Sequence, residues 1–223
     1  KVARGHLKIR HNDQEVDLAT CDWNTLHALR TERISMVFQQ FALMPWRTVR
    51  DNVALGLELN NVPKDKRIKI VEEKLSLVRL DKWAEKYPHE LSGGECQRTA
   101  VARALAPDPD LLICDEALSS LDVSIQAQII NLLKDLQTEL GLSYLFISHD
   151  LNVVSYICDR VNVMFRGRIV ESAPADLFFD DPRHPYTLKL LAAVPDTASA
   201  VWKPQLDAEG EAKDVASGCG FAD

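Results

Sequence analysis

The sequence predicts an α/β fold, a parallel sheet flanked by helices with a small helical subdomain set into it. Three observations carry this. In the second half of the chain, short apolar runs alternate with longer amphipathic stretches, the pattern of strands joined by helical crossovers. From Phe41 to about Arg98, apolar positions recur at the three- and four-residue spacings of helices. Two of the apolar runs end in acidic or histidine side chains, at the strand ends where α/β sheets bind ligands. With 223 residues, 46% hydrophobic and 26% charged, the chain is large enough to bury a core and is ordinary for a globular protein. Disorder, collagen-like repeats and coiled coil are thereby poor readings.

The elements follow in order. His6 to Arg10 reads as a short strand, a polar segment follows, and Ile34 to Phe38 is an apolar run ending at Gln39. Val53, Leu57, Val71, Leu75 and Val78 then mark helices interrupted by Pro45, Pro63 and Pro88, a helical subdomain over about 41–98. The run LLIC at 111–114 is a buried strand. Ile125, Ile129, Leu132, Leu133, Leu136 and Leu140 form one face of a helix that Ser124 is expected to cap and Gly141 to end. YLFIS at 144–148 and RVNVMF at 160–165 are further strands, the latter turned by Gly167 into RIVES. Beyond Ala173 the sheet pattern fades, so the domain is read as 1–172 with a C-terminal extension over 173–223.

Charge and cysteine usage narrow the classes. A formal charge of −7 argues against a general nucleic-acid binder, which needs a basic surface. No apolar run approaches the roughly 18 to 20 residues of a membrane-spanning helix, and the first residues carry no apolar core of a secretory signal. Cys21, Cys96, Cys114, Cys158 and Cys219 are scattered and form no CxxC pair, which fits a reducing cytosol.

Three segments carry chemistry. In LSGGE at 91–95, a Ser-Gly-Gly turn opening a helix aims unpartnered backbone N–H groups and the helix dipole at one point, an anion cradle; two glycines also serve simply to separate helices. Asp115 and Glu116 follow the strand LLIC directly. One carboxylate at such an edge can hold Mg²⁺ and its neighbour can take a proton from an attacking water, although a solvated strand end has the same pattern. Asp122, in SSLD at 119–122, lies at a turn where it serves such a site or caps the long helix. His149 and Asp150 end the strand YLFIS, predicted to follow the Asp-Glu strand after one helical crossover.

Taken in order, a glutamine after a strand at 39, LSGGE at 91, DE at 115–116, SSLD at 119 and SHD at 148 resemble the motif series of ABC-transporter ATPases over residues 1 to about 195. The resemblance implies an ABC-type, P-loop NTPase-like domain that binds ATP with Mg²⁺ and hydrolyses it. It implies that Gln39 senses Mg²⁺ and nucleotide, and that Ser92, Gly93 and Gly94, with Glu95 completing the segment, meet the γ-phosphate held by the opposite subunit of a head-to-tail dimer. Asp115 is then the Mg²⁺-organising aspartate, Glu116 the general base, Asp122 an inter-subunit residue and His149 the γ-phosphate clamp. Implied partners are a second ATPase subunit, membrane-spanning permease subunits and, indirectly, a solute-binding protein. The implied location is the cytoplasmic face of a bacterial inner membrane.

The sequence departs from that family in two respects. No GxxxxGK[ST] phosphate loop occurs, and family order places that loop and the central strand before residue 1. The chain is therefore expected to be an N-terminally incomplete copy and inactive alone, the alternative being a non-catalytic ABC-like module. The segment ISMVFQQFALMPWRTVRDNVALGLEL resembles ATPases of glycine-betaine, choline and proline importers. PDLLICDEALSSLDVSIQAQIINLLKDLQ and DDPRHPYTLKLLAAVP resemble those of dipeptide and oligopeptide importers, so peptides are the expected substrate and quaternary amines the alternative. In the peptide group the extension often carries an iron–sulfur cysteine cluster, and Cys219 stands where its first cysteine would be; a free thiol is the expected state, since one cysteine cannot ligate a cluster. A soluble ABC ATPase of DNA repair or translation would show a long coiled-coil insertion or a second cassette, and neither is present.

Overall fold

A computed structural model describes residues 8–11 and 14–193, and the chain divides into two compact units. The first comprises residues up to Leu121 together with Asn131–Ile147; the second comprises Asp122–Ile130 and the chain from Ser148 onward.

In the first unit, β1 (Lys8–His11) and β2 (Gln14–Asp17) form an antiparallel hairpin. Helix α1 (Trp23–Ala28) is capped by Asp22, whose carboxylate accepts the Thr25 N–H at 3.0 Å, and runs into a π turn at 29–33. The polar segment between the expected strands thus contains the hairpin's second strand and a helix. With four residues per strand and six in the helix, these are too short to impose a periodicity on the sequence. The strand β3 (Ile34–Val37) follows, then α2 (Val49–Leu59) and α3 (Lys64–Leu77), short 3₁₀ turns, and α4 (Gly93–Leu105). Pro63 precedes α3, where a missing N–H costs nothing. Val53, Leu57, Val71, Leu75, Ala100, Val101 and Leu105 are buried where α2, α3 and α4 pack together.

β4 (Leu111–Asp115), α5 (Val123–Leu140) and β5 (Ser143–Ile147) complete the three-stranded sheet, ordered β3-β4-β5 and parallel throughout. Its register aligns Val37, Cys114 and Phe146, so all three carboxyl ends lie on one edge. Val37, Leu112 and Cys114 are fully buried. The Tyr144 hydroxyl donates to the Leu133 carbonyl of α5 at 2.7 Å, and burial pushes its pKa up. Gly141 ends α5 with φ of +67°, the left-handed geometry glycine accepts most readily. The start of α5 differs from expectation: Asp122, not Ser124, is the cap, its Oδ1 accepting the Ile125 N–H at 3.0 Å.

In the second unit, α6 (Leu151–Ile157) is capped by Asp150. The antiparallel pair β6 (Arg160–Phe165) and β7 (Arg168–Pro174) turns through Arg166 and Gly167, both at positive φ, with a bulge between Val163 and Met164. Then come α7 (Ala175–Asp180) and α8 (Pro185–Ala192). Val154, Val161, Val163 and Phe178 form its core, and the Phe165 and Tyr186 rings meet at a tilt of 33°, 4.3 Å between centroids. The tail cysteine Cys219 lies outside the described residues. Among the described residues no helix is long and apolar enough to cross a membrane.

Candidate functional site

The centre of the first unit's sheet delivers the acidic pair. Asp115 is the last residue of β4, half-buried and in register with Ile147. The chain then turns sharply: Glu116 adopts φ of +47° and its N–H donates to the Ile147 carbonyl at 2.9 Å. Its own carbonyl accepts the Ser119 hydroxyl and N–H at 3.0 and 3.1 Å, while Ala117 and Leu118 are buried beneath. Left-handed backbone at a non-glycine residue costs on the order of 1–3 kcal/mol and persists only where its surroundings enforce it. Here the β5 carbonyl and the buried pair enforce it, and the half-buried Glu116 carboxylate is held at the sheet's carboxyl edge.

The segment Ser92–Glu95 forms a capping box at the start of α4. The Ser92 Oγ accepts the Glu95 N–H at 3.3 Å, and the Glu95 carboxylate accepts the Ser92 N–H and hydroxyl at 2.7 and 2.8 Å. Glu95 is thus turned back onto the cap residue, whereas the Gly93 and Gly94 N–H groups belong to the first helical turn and lack intrahelical acceptors. A Cβ built on Gly93 would stand 3.3 Å from Leu121 Cδ2, so glycine lets the helix start approach the turn that follows Glu116.

Gln39 is exposed two residues beyond β3, on the same sheet edge as Asp115. The loop after it is fixed by Asn52 of α2, fully buried, which accepts the Met44 N–H at 2.7 Å and donates to the carbonyls of Met44, Arg47 and Thr48 at 3.2, 3.1 and 2.9 Å. Asn52 escapes sequence reasoning, because a buried asparagine and a surface one look alike within an amphipathic helix. In the second unit, Asp122 is exposed and caps α5, and exposed His149 sits in a turn where Ser148 Oγ accepts the Asp150 N–H at 3.0 Å.

The donor set fits a Mg²⁺-nucleotide. Among the described residues no group of three or more His, Cys, Asp or Glu side chains could hold a metal. Mg²⁺ needs no such cage, being bound through one or two carboxylates plus water and substrate phosphates. A helix start with free N–H groups and no Cβ at Gly93 suits a phosphate.

Residues 2–119 match the ABC transporter family, and residues 170–223 match the C-terminal region of oligopeptide/dipeptide transporters. The chain belongs to the ABC transporter family. It is 52% identical over 168 residues to an oligopeptide transport ATP-binding protein, OppF, of Bacillus subtilis, covering 73% of this chain and 55% of that protein. Identity is 49% to the OppF of Streptococcus mutans, covering 87% and 67%, and 45% to the glutathione import ATP-binding protein GsiA of Escherichia coli, covering 89% and 32%. The chain spans about half the length of the curated relatives it first matches. Among solved structures, a dimeric ATP-binding cassette bound to ADP and Pi after hydrolysis superposes with TM-score 0.63 at 30% identity, covering 75% of this chain and 73% of that one. The cbiO1 protein of Clostridium perfringens, part of an ABC transporter complex, gives 0.66 at 30% identity, covering 72% and 64%. The fold is that of an ABC ATPase domain, a parallel sheet with flanking helices.

Proposed function

We propose that this chain is part of the ATP-binding and ATP-hydrolysing subunit of an ABC importer that energises peptide uptake from the cytoplasmic face of a membrane. The observation that carries the catalytic part is the Asp115–Glu116 pair held at the carboxyl end of the central strand, with Glu116 in an enforced left-handed conformation. The match of residues 170–223 to the oligopeptide/dipeptide C-terminal region supports peptides over quaternary amines.

Bound Mg²⁺-ATP supplies the transferable phosphoryl group and the charge that the metal neutralises. In the proposed mechanism Asp115 would hold the metal, and Glu116 would orient the attacking water and accept its proton. Gln39 reads the metal and nucleotide from the neighbouring strand end. The Gly93 and Gly94 N–H groups and the Ser92 hydroxyl face the γ-phosphate carried by a second ATPase subunit, and Glu95 orients Ser92. Asp122 acts at the junction with that subunit and His149 stabilises charge on the γ-phosphate. These roles meet the demand of phosphoryl transfer for positioning and charge stabilisation. Partners are permease subunits, through which a solute-binding protein is served.

The test is reconstitution of a copy extended N-terminally to carry a phosphate loop, with a peptide-type permease and a partner ATPase in vesicles, followed by labelled peptide and labelled choline. ATP-driven peptide entry is expected, with Glu116→Gln lowering turnover by about 10²- to 10⁴-fold while nucleotide binding persists. Choline entry, or unchanged turnover in the variant, contradicts the reading.

A further inference from the structure

One half-buried cation joins two parts of the first unit that the proposed reaction uses separately. Arg103 lies in the last turn of α4, about 16 Å along the helix from Ser92 at 1.5 Å per residue. Its guanidinium leaves the helix and donates through Nη1 to the Ala42 carbonyl at 2.5 Å and through Nη2 to the Phe41 carbonyl at 2.9 Å. Those carbonyls follow Gln39 by two and three residues, and Ala42 is held at φ of +49°. Burial pulls the arginine's pKa below its usual value, yet it stays charged at any physiological pH. Both bonds are therefore charge-assisted and share one rigid fork.

The strained Ala42 and the two engaged carbonyls give this loop a single position relative to α4. On its far side Asn52 bonds Met44, Arg47 and Thr48 to α2, so both staples lie on the C-terminal side of Gln39.

We infer that Arg103 is a positioning residue: it ties the helix whose N-terminus faces phosphate to the loop that carries Gln39, so that displacement of α4 is passed to Gln39. This rests on the proposed function for its meaning, but the tie can be tested without nucleotide. Lysine in place of arginine reaches one carbonyl and not both.

The experiment is amide hydrogen exchange on the 223-residue chain, comparing wild type with Arg103→Gln and Arg103→Lys. Loss of two charge-assisted bonds is expected to speed exchange at 40–48 by about tenfold or more in Arg103→Gln, with α3 and β4 changed less than about twofold. Arg103→Lys is expected to recover part of the protection. If all three regions loosen together, Arg103 is only general packing and the inference fails. The transmission is read by a cycle with Ser92→Gly, which unbinds the cap at the other end of α4. Ser92→Gly is expected to alter exchange at 40–48 with Arg103 present and not in Arg103→Gln; equal effects in both backgrounds overturn the inference. Since no ATP is present, this result stands apart from the fate of the ATPase reading, which the vesicle assay decides.

Discussion

Glu116 combines a half-buried carboxylate at the sheet's carboxyl edge with a backbone conformation that prefers glycine. At φ of +47° an L-residue is crowded by its Cβ, so the position is held against a local cost on the order of 1–2 kcal/mol. Glu116→Gly removes that crowding and the carboxylate together. The variant is expected to melt higher by about 2–4 °C, the shift that 1 kcal/mol gives a chain of this size, and to support no hydrolysis in the assembled transporter. Differential scanning calorimetry of the two forms checks it, and an unchanged or lower melting temperature would mean that side-chain contacts outweigh the strain. None of this strain was legible in the sequence, where DE after an apolar run shows the residue types but not the backbone. The same limit applies to Asp122: the turn and the helix were readable, yet choosing between Asp122 and Ser124 as cap required knowing which oxygen meets the Ile125 N–H.

Strands and helices were legible in proportion to their length and burial. LLIC stands out because a buried parallel strand is continuously apolar, and the α5 face because five turns repeat it; YLFIS reads the same way although Leu145 and Ile147 are exposed in this structure. In the second unit the HPYT stretch, which resembles the peptide-importer group, has a physical role in the structure. Glu171 of β7 accepts the N–H groups of Arg183 and His184 at 2.8 and 3.0 Å, fixing the turn from which α8 starts, and His184 Nδ1 accepts the Tyr186 N–H at 3.1 Å. The Thr187 hydroxyl, buried but outside strict hydrogen-bond geometry, and those two amides hold the Glu171 carboxyl below the usual carboxylate range. A depressed folded-state pKa means the stabilisation is complete above the unfolded value and fades as pH falls through the folded one. The stability difference between wild type and Glu171→Gln is thus expected to be full near neutrality and to shrink below about pH 4. Circular-dichroism melts across pH 7 to 3 measure it. Asp22 and Glu90, also held low by hydrogen bonds, contribute equally to both forms and cancel from the difference. A difference independent of pH would remove the carboxylate from the latch.

At the scale of the molecule, we propose that this chain supplies the face of an ABC ATPase that meets nucleotide held by another subunit. Its sequence has the Ser-Gly-Gly helix start and the acidic pair and no GxxxxGK[ST]. The order of motifs made the fold class legible, since five weak signals in one sequence constrain topology more than any one of them does. Of the two staples, Arg103 links residues 61 and 62 positions apart, whereas Asn52 reaches only four to eight residues back, and neither residue type by itself announces the bonds. Sedimentation of the chain with a full-length ABC ATPase subunit that carries its own phosphate loop and hydrolyses slowly tests this assignment most directly. With Mg²⁺-ATP a one-to-one complex is expected, absent with ADP or without nucleotide and abolished by Ser92→Arg, which would fill the phosphate-facing helix start. Association that ignores nucleotide, or that survives Ser92→Arg, would contradict the assignment.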